Sequence, residues 1–550
     1  MVDSISASLN IINAMKLRHI LLLIILFFSI TSKVVSQNSN TEPPRLVVGI
    51  MVDGLQHKHL ELLWHYFNQN GFRQISEKGA ICTNVNYNIL SGGNASDAAC
   101  IMTGSTPFYN GVSGNNYYNR ESIEVSSIIY DATQEGIGSS MTVSPKNLLA
   151  STIVDELKLT NFKRSKCHVV AINPEEAIMM GGHTANSVSW IDDEKLQWVT
   201  TGYYTNGLSS WADDQNINGT FSNLANRNWK PLFDINSYLS PALNEDKKNG
   251  FSYDANNKRN KNTNITILKN TPSANELVTE LGIRILNEEQ LGTDNIPDML
   301  LLQYTVRTPF EKTPALNTAE KEDMYMRLDK NIAYLLQTIT EKVNIDKTLV
   351  VLFANQTPTH SADELKEKRI PSGHFNASRS MALLSNYLIA LYGQEKWISG
   401  YYGKNIFLNR HKILEKKKNY HEMQQVVADF MLEFEGIQSA YTATEIINSG
   451  TSSNNEVEKI KNSLNKKSMG DVVITLLPGW SEVDDKNNAV SESTAINEQT
   501  SLYFYGWQIR PQKITTHYEM TNLAPTLAKI LNISMPNACI GKPISEIVRK

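Results

Sequence analysis

The sequence predicts an α/β protein: a mostly parallel central sheet with helices on both faces, plus cap insertions. Three observations lead there. Leu46–Leu55 is an apolar run that ends abruptly in Asp53 and Gly54, the pattern of a buried parallel strand. Further apolar runs at Met299–Tyr304, Thr348–Phe353 and Leu502–Tyr505 alternate with helical patterns, as strands of a sheet covered on both faces do. Polar, Asn-rich stretches at about 190–270 and 375–490 interrupt that alternation and read as insertions over the carboxyl edge of the sheet. The remainder, 37–550, reads as a single domain without internal repeats.

At 550 residues the chain is long enough to bury a large core. A net charge of −4 and a pI near 6.3 offer no electrostatic footprint for nucleic acid. The first 36 residues read as an export signal: Lys16 and Arg18 precede the apolar run Ile20–Ile30, and Val34-Val35-Ser36 suits a signal peptidase. The signal begins naturally at Met15, so residues 1–14 read as an upstream extension. No later stretch approaches the roughly 20 apolar residues of a membrane span, so the expectation is a periplasmic or extracellular protein without a transmembrane anchor. Cys82, Cys100, Cys167 and Cys539 lack C-x-x-C spacing; bridges and buried thiols remain equally open.

In chain order, Asp53 stands at the strand's carboxyl end, where α/β sheets hold their chemistry. It equally suits the N-cap of a following helix over Gln56–Asn68. Gly79–Asn88 reads as a strand, and Ser91–Gly104 as a Gly-rich turn entering a helix whose free N–H groups form an anion seat.

The order Val52-Asp53-Gly54, then Ile101-Met-Thr-Gly-Ser-Thr-Pro107, then Asn110-Gly-Val-Ser-Gly-Asn-Asn-Tyr-Tyr118 resembles the alkaline phosphatase superfamily. The closest branch is the exported bacterial phosphate-monoesterase type, which also resembles nucleotide pyrophosphatase/phosphodiesterases. The likeness continues through Ala177–Ala185, Glu322–Lys330, Thr348–Ala354, Ser501–Gly506, Met520–Ile533 and Cys539–Ile544, and so spans nearly the whole mature chain. The resemblance implies an alkaline phosphatase-like fold and, in active members, two zinc ions, a Thr or Ser nucleophile and six Asp/His ligands. Paired cations neutralise the phosphoryl group and stabilise the leaving oxygen.

Residue by residue, the resemblance keeps Asp53 as the first ligand and Asn115 as a phosphoryl-oxygen donor. At the nucleophile position stands Asn94, whose amide is no nucleophile of this kind; Ser96 is two residues away, about half a helical turn off. The next two ligand positions, counted from Asp298 and Asp323, hold Thr308 and Lys312. The following Asp-His pair appears as Asn355 and Gln356, and the last His as Gln499. The positions of the phosphate-binding Lys and Arg hold Asn173 and Glu175, and Glu175 repels phosphate. His183 matches a position outside the ligand set. His57 and His59 follow Asp53 on a helix and face either the old site or solvent, the structural reading being favoured, and His360 and His374 flank a loop without metal spacing.

The leading expectation is therefore a pseudoenzyme: an exported phosphatase-fold protein that has lost metal-dependent hydrolysis, needs no cofactor, and binds or scaffolds a protein or glycan of the cell envelope, since a shared fold does not carry its chemistry with it. The alternative is an active phosphomonoesterase or phosphodiesterase with a rearranged site using Asp53, Asp97 and nearby His, which would need bound zinc. Trp190, Trp198, Tyr203, Tyr204 and Trp211 line a glycan or peptide cleft on one reading and form core on the other. A buried Asp without cations must find another partner, so Lys312, Asn355 or Gln356 is expected to reach Asp53, against the alternative that Lys312 faces solvent. For export, N-terminal sequencing of envelope protein should return Gln37 or a close neighbour; an intact Met15 on cytoplasmic protein would contradict it.

Overall fold

The computed structural model describes residues 42–548 except 91, 243–249, 254–266, 310–317, 356–361, 450–454, 487–488 and 492–498. The expected export signal lies outside the described residues.

The main sheet contains strands β1 (Leu46–Asp53), β2 (Ala80–Asn86), β3 (Gly136–Ile137), β4 (Cys167–Ala171), β5 (Ser187–Ile191), β6 (Trp198–Thr201), β7 (Asp298–Thr305), β8 (Thr348–Ala354), β9 (Thr500–Gly506), β10 (Gln512–Ile514) and β11 (Tyr518–Glu519). Their spatial order is β10-β2-β9-β8-β1-β7-β4-β5-β6-β3, with β11 beside β2. At its centre β1 runs parallel to β7 and β8, and β4 runs parallel to both β7 and β5. The apolar run at Leu502 was read with the parallel alternation. It forms β9, which runs antiparallel to both β8 and β2, because burial on both faces produces an apolar run whichever way a strand points.

Burial on both faces accounts for the unbroken apolar run of β1. Val47 and Met51 point into one core with Ala99, Ile178 and Phe353, while Leu46, Val48, Ile50 and Val52 point into the other with Leu302, Leu335 and Tyr325. Gly49 is required by close approach, since a Cβ there would lie 2.5 Å from Leu301 Cδ2.

The helices that position the site are α1 (His57–Leu62), α2 (Asn94–Thr103), α3 (Pro174–Gly181) and α4 (Ala319–Lys342). The expected helix from Gln56 is shorter than its pattern suggested: α1 ends at Leu62 and a 3₁₀ turn, Trp64–Tyr66, follows. Its N-cap is Gln56, so Asp53 is not the cap. Asp298 and Asp323, the landmarks for locating ligands, both serve structure. Asp298 accepts from the backbone N–H groups of Lys166 (2.7 Å) and Gly292 (2.9 Å). Fully buried Asp323 accepts from Trp229 Nε1 at 2.7 Å, Leu232 N at 2.7 Å and Arg327 Nε at 2.5 Å.

The two polar stretches differ. The first begins inside β5, supplies β6, and adds helices Ser210–Ile217 and Thr220–Ala225. Trp190, Trp198 and Trp211 are buried in the cores flanking the sheet, so they pack and line no cleft. Tyr204 is half-buried and donates to Gly182 O at 2.6 Å. The second is a lobe with its own sheet, in the order Ile398–Tyr402, Asn405–Leu408, Val472–Leu476, Ile437–Thr442. Helices α5 (Ala377–Tyr392) and α7 (Tyr420–Leu432) flank α6 (Arg410–Glu415), and α8 (Ala443–Asn448) follows. Leu384, Leu388, Met423, Val427 and Ile474 form a separate core there. All four cysteines are free thiols.

Candidate functional site

Four parallel strands deliver the site at their carboxyl ends. Asp53 is the last residue of β1, Arg307 and Thr308 follow β7, Asn355 follows β8, and Glu176 lies in the first turn of α3 after β4. Asn94 opens α2 after β2.

Asp53 is buried and fully engaged. Arg307 Nε donates to its Oδ2 at 2.9 Å, and Asn355 Nδ2 donates to its Oδ1 at 2.6 Å. The same Asn355 amide donates to Asn94 Oδ1 at 2.8 Å and accepts from Gly54 N at 3.1 Å. Asn94 Nδ2 then donates to Glu176 Oε1 at 2.6 Å, where Asn173 Nδ2 also reaches at 3.4 Å. The result is a continuous chain, Arg307–Asp53–Asn355–Asn94–Glu176, across the place where the resemblance puts metals and nucleophile.

Glu176 is fully buried, and its Oε2 has no hydrogen-bond partner among the described residues. Burial, reinforced by the nearby Asp53 and Glu175 carboxylates, pushes its carboxyl up to about 8. Glu175 is likewise raised, chiefly by burial; Asp193 nearby pairs with Lys269.

The turn after Asp53 is held from α4: Tyr325 Oη accepts from Gln56 N at 3.1 Å and lies 3.0 Å from His59 Nδ1. Burial, with Lys321 nearby, depresses His59 to about 3. It is a neutral structural histidine. At the mouth, Asn115 Oδ1 accepts from Ala95 N at 2.9 Å. Gly93 adopts φ +111°, and a Cβ there would come 2.8 Å from Asn115 Oδ1, so the turn requires glycine.

The structure thus brings together Asp53, Asn94, Asn173 and Asn355, with Asn115 beside the start of α2. Thr308 is buried just beyond β7. Gln499 is exposed and bonds Asn84 at 3.4 Å, with no hydrogen bond to the chain around Asp53. Lys312, Gln356 and His360 lie outside the described residues. His183 is structural: its N–H donates to Asp155 Oδ1 at 2.9 Å. His57 lies 2.5 Å from Tyr503 Oη and 3.3 Å from Glu61. His374 lies 3.2 Å from Ser481 Oγ.

Two residues escaped the sequence reading. Arg307 supplies a cation to Asp53 one position before the Thr308 being weighed as a ligand. Glu176, rather than Glu175, faces Asn94, and helical period does not single it out, since Glu175 shares a face with Ile178 and Met179 and Glu176 with Met179 and Met180, all of them core.

The profile of the type I phosphodiesterase / nucleotide pyrophosphatase family matches residues 47–502. The chain belongs to this family. As a phosphodiesterase-family member it falls in the alkaline phosphatase superfamily, a group of phosphoester hydrolases. The alkaline phosphatase PafA of Elizabethkingia meningoseptica is 25% identical over 528 residues, covering 93% of this chain and 96% of that protein. A protein of Myroides odoratus named a calcium-transporting ATPase is 27% identical over 542 residues, covering 95% of this chain and 98% of the other. The crystal structure of wild-type PafA superposes with a TM-score of 0.83 at 25% identity, covering 93% of this chain and all of that one.

The donor set of this phosphodiesterase-family chain does not fit a pair of zinc ions. Zinc takes carboxylate, imidazole or thiolate. The positions that the resemblance assigns to ligands hold Asp53, Thr308, Lys312, Asn355, Gln356 and Gln499, and an N–H donor already occupies each oxygen of Asp53. Among the described residues no group of three or more His, Cys, Asp or Glu is arranged to hold a metal ion.

Two outcomes follow. Arg307→Met should destabilise the protein by about 2–3 kcal/mol, below the ~3–5 of a fully buried broken pair because the guanidinium is partly exposed. Asp53→Asn/Arg307→Met should recover most of it; urea unfolding reads both, and independent, additive effects would contradict the pairing. For Glu176, a carboxyl near 4.5 when unfolded and about 8 when folded makes the native state bind the extra proton. Its contribution to stability therefore falls as pH rises from about 4.5 to about 8 and is flat above. Glu176→Gln should remove that slope, worth on the order of a few kcal/mol; unchanged slopes in urea midpoints across the window would refute it.

Proposed function

We propose that this phosphodiesterase-family protein is an exported pseudoenzyme, which has given up metal-dependent phosphoester hydrolysis and acts as a binding or scaffolding protein of the cell envelope. The observation that carries the reading is the Asp53 carboxylate. Arg307 and Asn355 satisfy both its oxygens, so a metal would have to displace a guanidinium and an amide to reach it. The nucleophile position supports the same reading. Asn94 offers an amide already bonded at both ends, and an amide does not attack phosphorus as an alkoxide does. Glu175 and Glu176 offer a phosphoryl dianion no cation and repel it once ionised, and like charges at close range raise the cost of ionising each of them. The partner is a protein or glycan of the envelope. No helix among the described residues is long and apolar enough to cross a membrane.

The test is a paired measurement on purified protein grown with zinc. Elemental analysis should find no stoichiometric zinc, and hydrolysis of p-nitrophenyl phosphate and bis-p-nitrophenyl phosphate should match buffer. Two zinc ions per chain, or turnover abolished by Asp53→Asn, would replace this reading with an active hydrolase of rearranged site.

A further inference from the structure

The second lobe contains a cavity of about 380 Å³, within the range of ordinary small-molecule sites, about 300–1,000 Å³. It opens between α6, α8 and the segment that carries Lys466 and Met469. Its lining is apolar over most of its area, from Ile413, Leu414, Ile447 and Met469. Leu414 is 79% exposed although α6 turns Ile413 into the lobe's core. An exposed leucine alone means little, but beside a concavity that continues its apolar surface it marks a rim.

The charges are all of one sign. Arg410, Lys418 and Lys466 line the cavity, and no Asp or Glu does. Arg410 is committed behind the wall, with Nε and Nη2 at 2.8 and 2.6 Å from Asp471 Oδ1. Arg120 reaches the other oxygen of the same carboxylate at 3.0 Å. Asp471 is therefore neutralised and offers no compensation to the cavity. Lys418 and Lys466 have no carboxylate partner among the described residues; their ammonium groups lie 5.6 Å from the Tyr392 ring and 5.3 Å from the Phe108 ring. Of the nearby acids, Glu415 pairs with Lys412, Glu395 with Lys416, and Glu445 serves the cap of α8, while Glu422, close to Tyr392, makes no ion pair with Lys418 and does not line the cavity. Two uncompensated ammonium groups beside an apolar hollow complement one kind of small molecule.

We propose that this cavity is a binding site for a small anionic amphiphile, a single carboxylate or sulfate-like headgroup on a short alkyl or aryl body. The headgroup meets Lys418 and Lys466, and the body covers Leu414, Ile413 and Ile447. The site lies in the lobe, apart from the residues around Asp53, and its occupancy does not depend on whether that region turns over substrate.

Calorimetric titration of the full mature protein with octanoate and with octyl sulfate below its micelle concentration tests it. One site per chain is expected. 1-Octanol and inorganic sulfate, each carrying half of the chemistry, should bind at least tenfold more weakly. Lys418→Glu/Lys466→Glu and, separately, Leu414→Asp should each weaken octanoate at least tenfold without shifting the unfolding midpoint. Octanol binding as tightly as octanoate, or full affinity in the charge-reversed variant, would overturn the proposal.

Discussion

A carboxylate placed at the end of a buried central strand must be given a positive or hydrogen-bonding partner. The cost of leaving it bare, several kcal/mol in a low-dielectric interior, exceeds what a single surface interaction returns. In this chain the partner is internal. Arg307 comes from the strand on one side of β1 and Asn355 from the strand on the other. The three strand ends are thereby tied across the middle of the sheet by groups belonging to the chain itself. Asn94 and Glu176 extend the tie to two helices, so the region is cross-linked by side chains in four directions.

That arrangement has an electrostatic signature distinct from a metal centre. A pair of divalent cations makes a region strongly positive and attracts anions; one guanidinium beside one carboxylate is neutral. The two glutamates of α3, both with raised affinity for protons, make the rim neutral to acidic depending on pH. The charge around Asp53 is thus balanced or acidic, while Lys418 and Lys466 in the lobe have no carboxylate partner among the described residues.

Much of the fold was legible because hydrophobic periodicity is a local quantity. The runs at Leu46, Met299 and Thr348 became β1, β7 and β8, and Asp53 stood at a strand's carboxyl end as its position implied. Strand direction was not legible: the apolar run that marks β9 is the same for either polarity, and only its neighbours decide it. At the candidate site, Asn355 was within reach of the reading because the resemblance assigns it a ligand position and a buried Asp53 needs a donor. Arg307 was not, because its proximity to Asp53 exists only after β7 docks beside β1. Glu176 was missed for a related reason, since two adjacent glutamates on a helix differ only in which one the packing turns inward.

The lobe has a consequence for how the chain reaches this structure. Strands β8 and β9 are sheet neighbours in register, Leu349 opposite Gly506, yet residues 355–499 lie between them in sequence. The entropy of closing so long a loop grows only logarithmically, by about 0.6 kcal/mol for each doubling, so an insertion of this size is thermodynamically tolerable. Kinetically it is different, because pairing across such a separation is slow. The lobe's own core, built from Leu384, Met423, Val427 and Ile474, allows it to condense first and bring the two ends together. Until it does, β8 presents an unpaired edge on that side, and the chain is most exposed to aggregation and proteolysis during that interval.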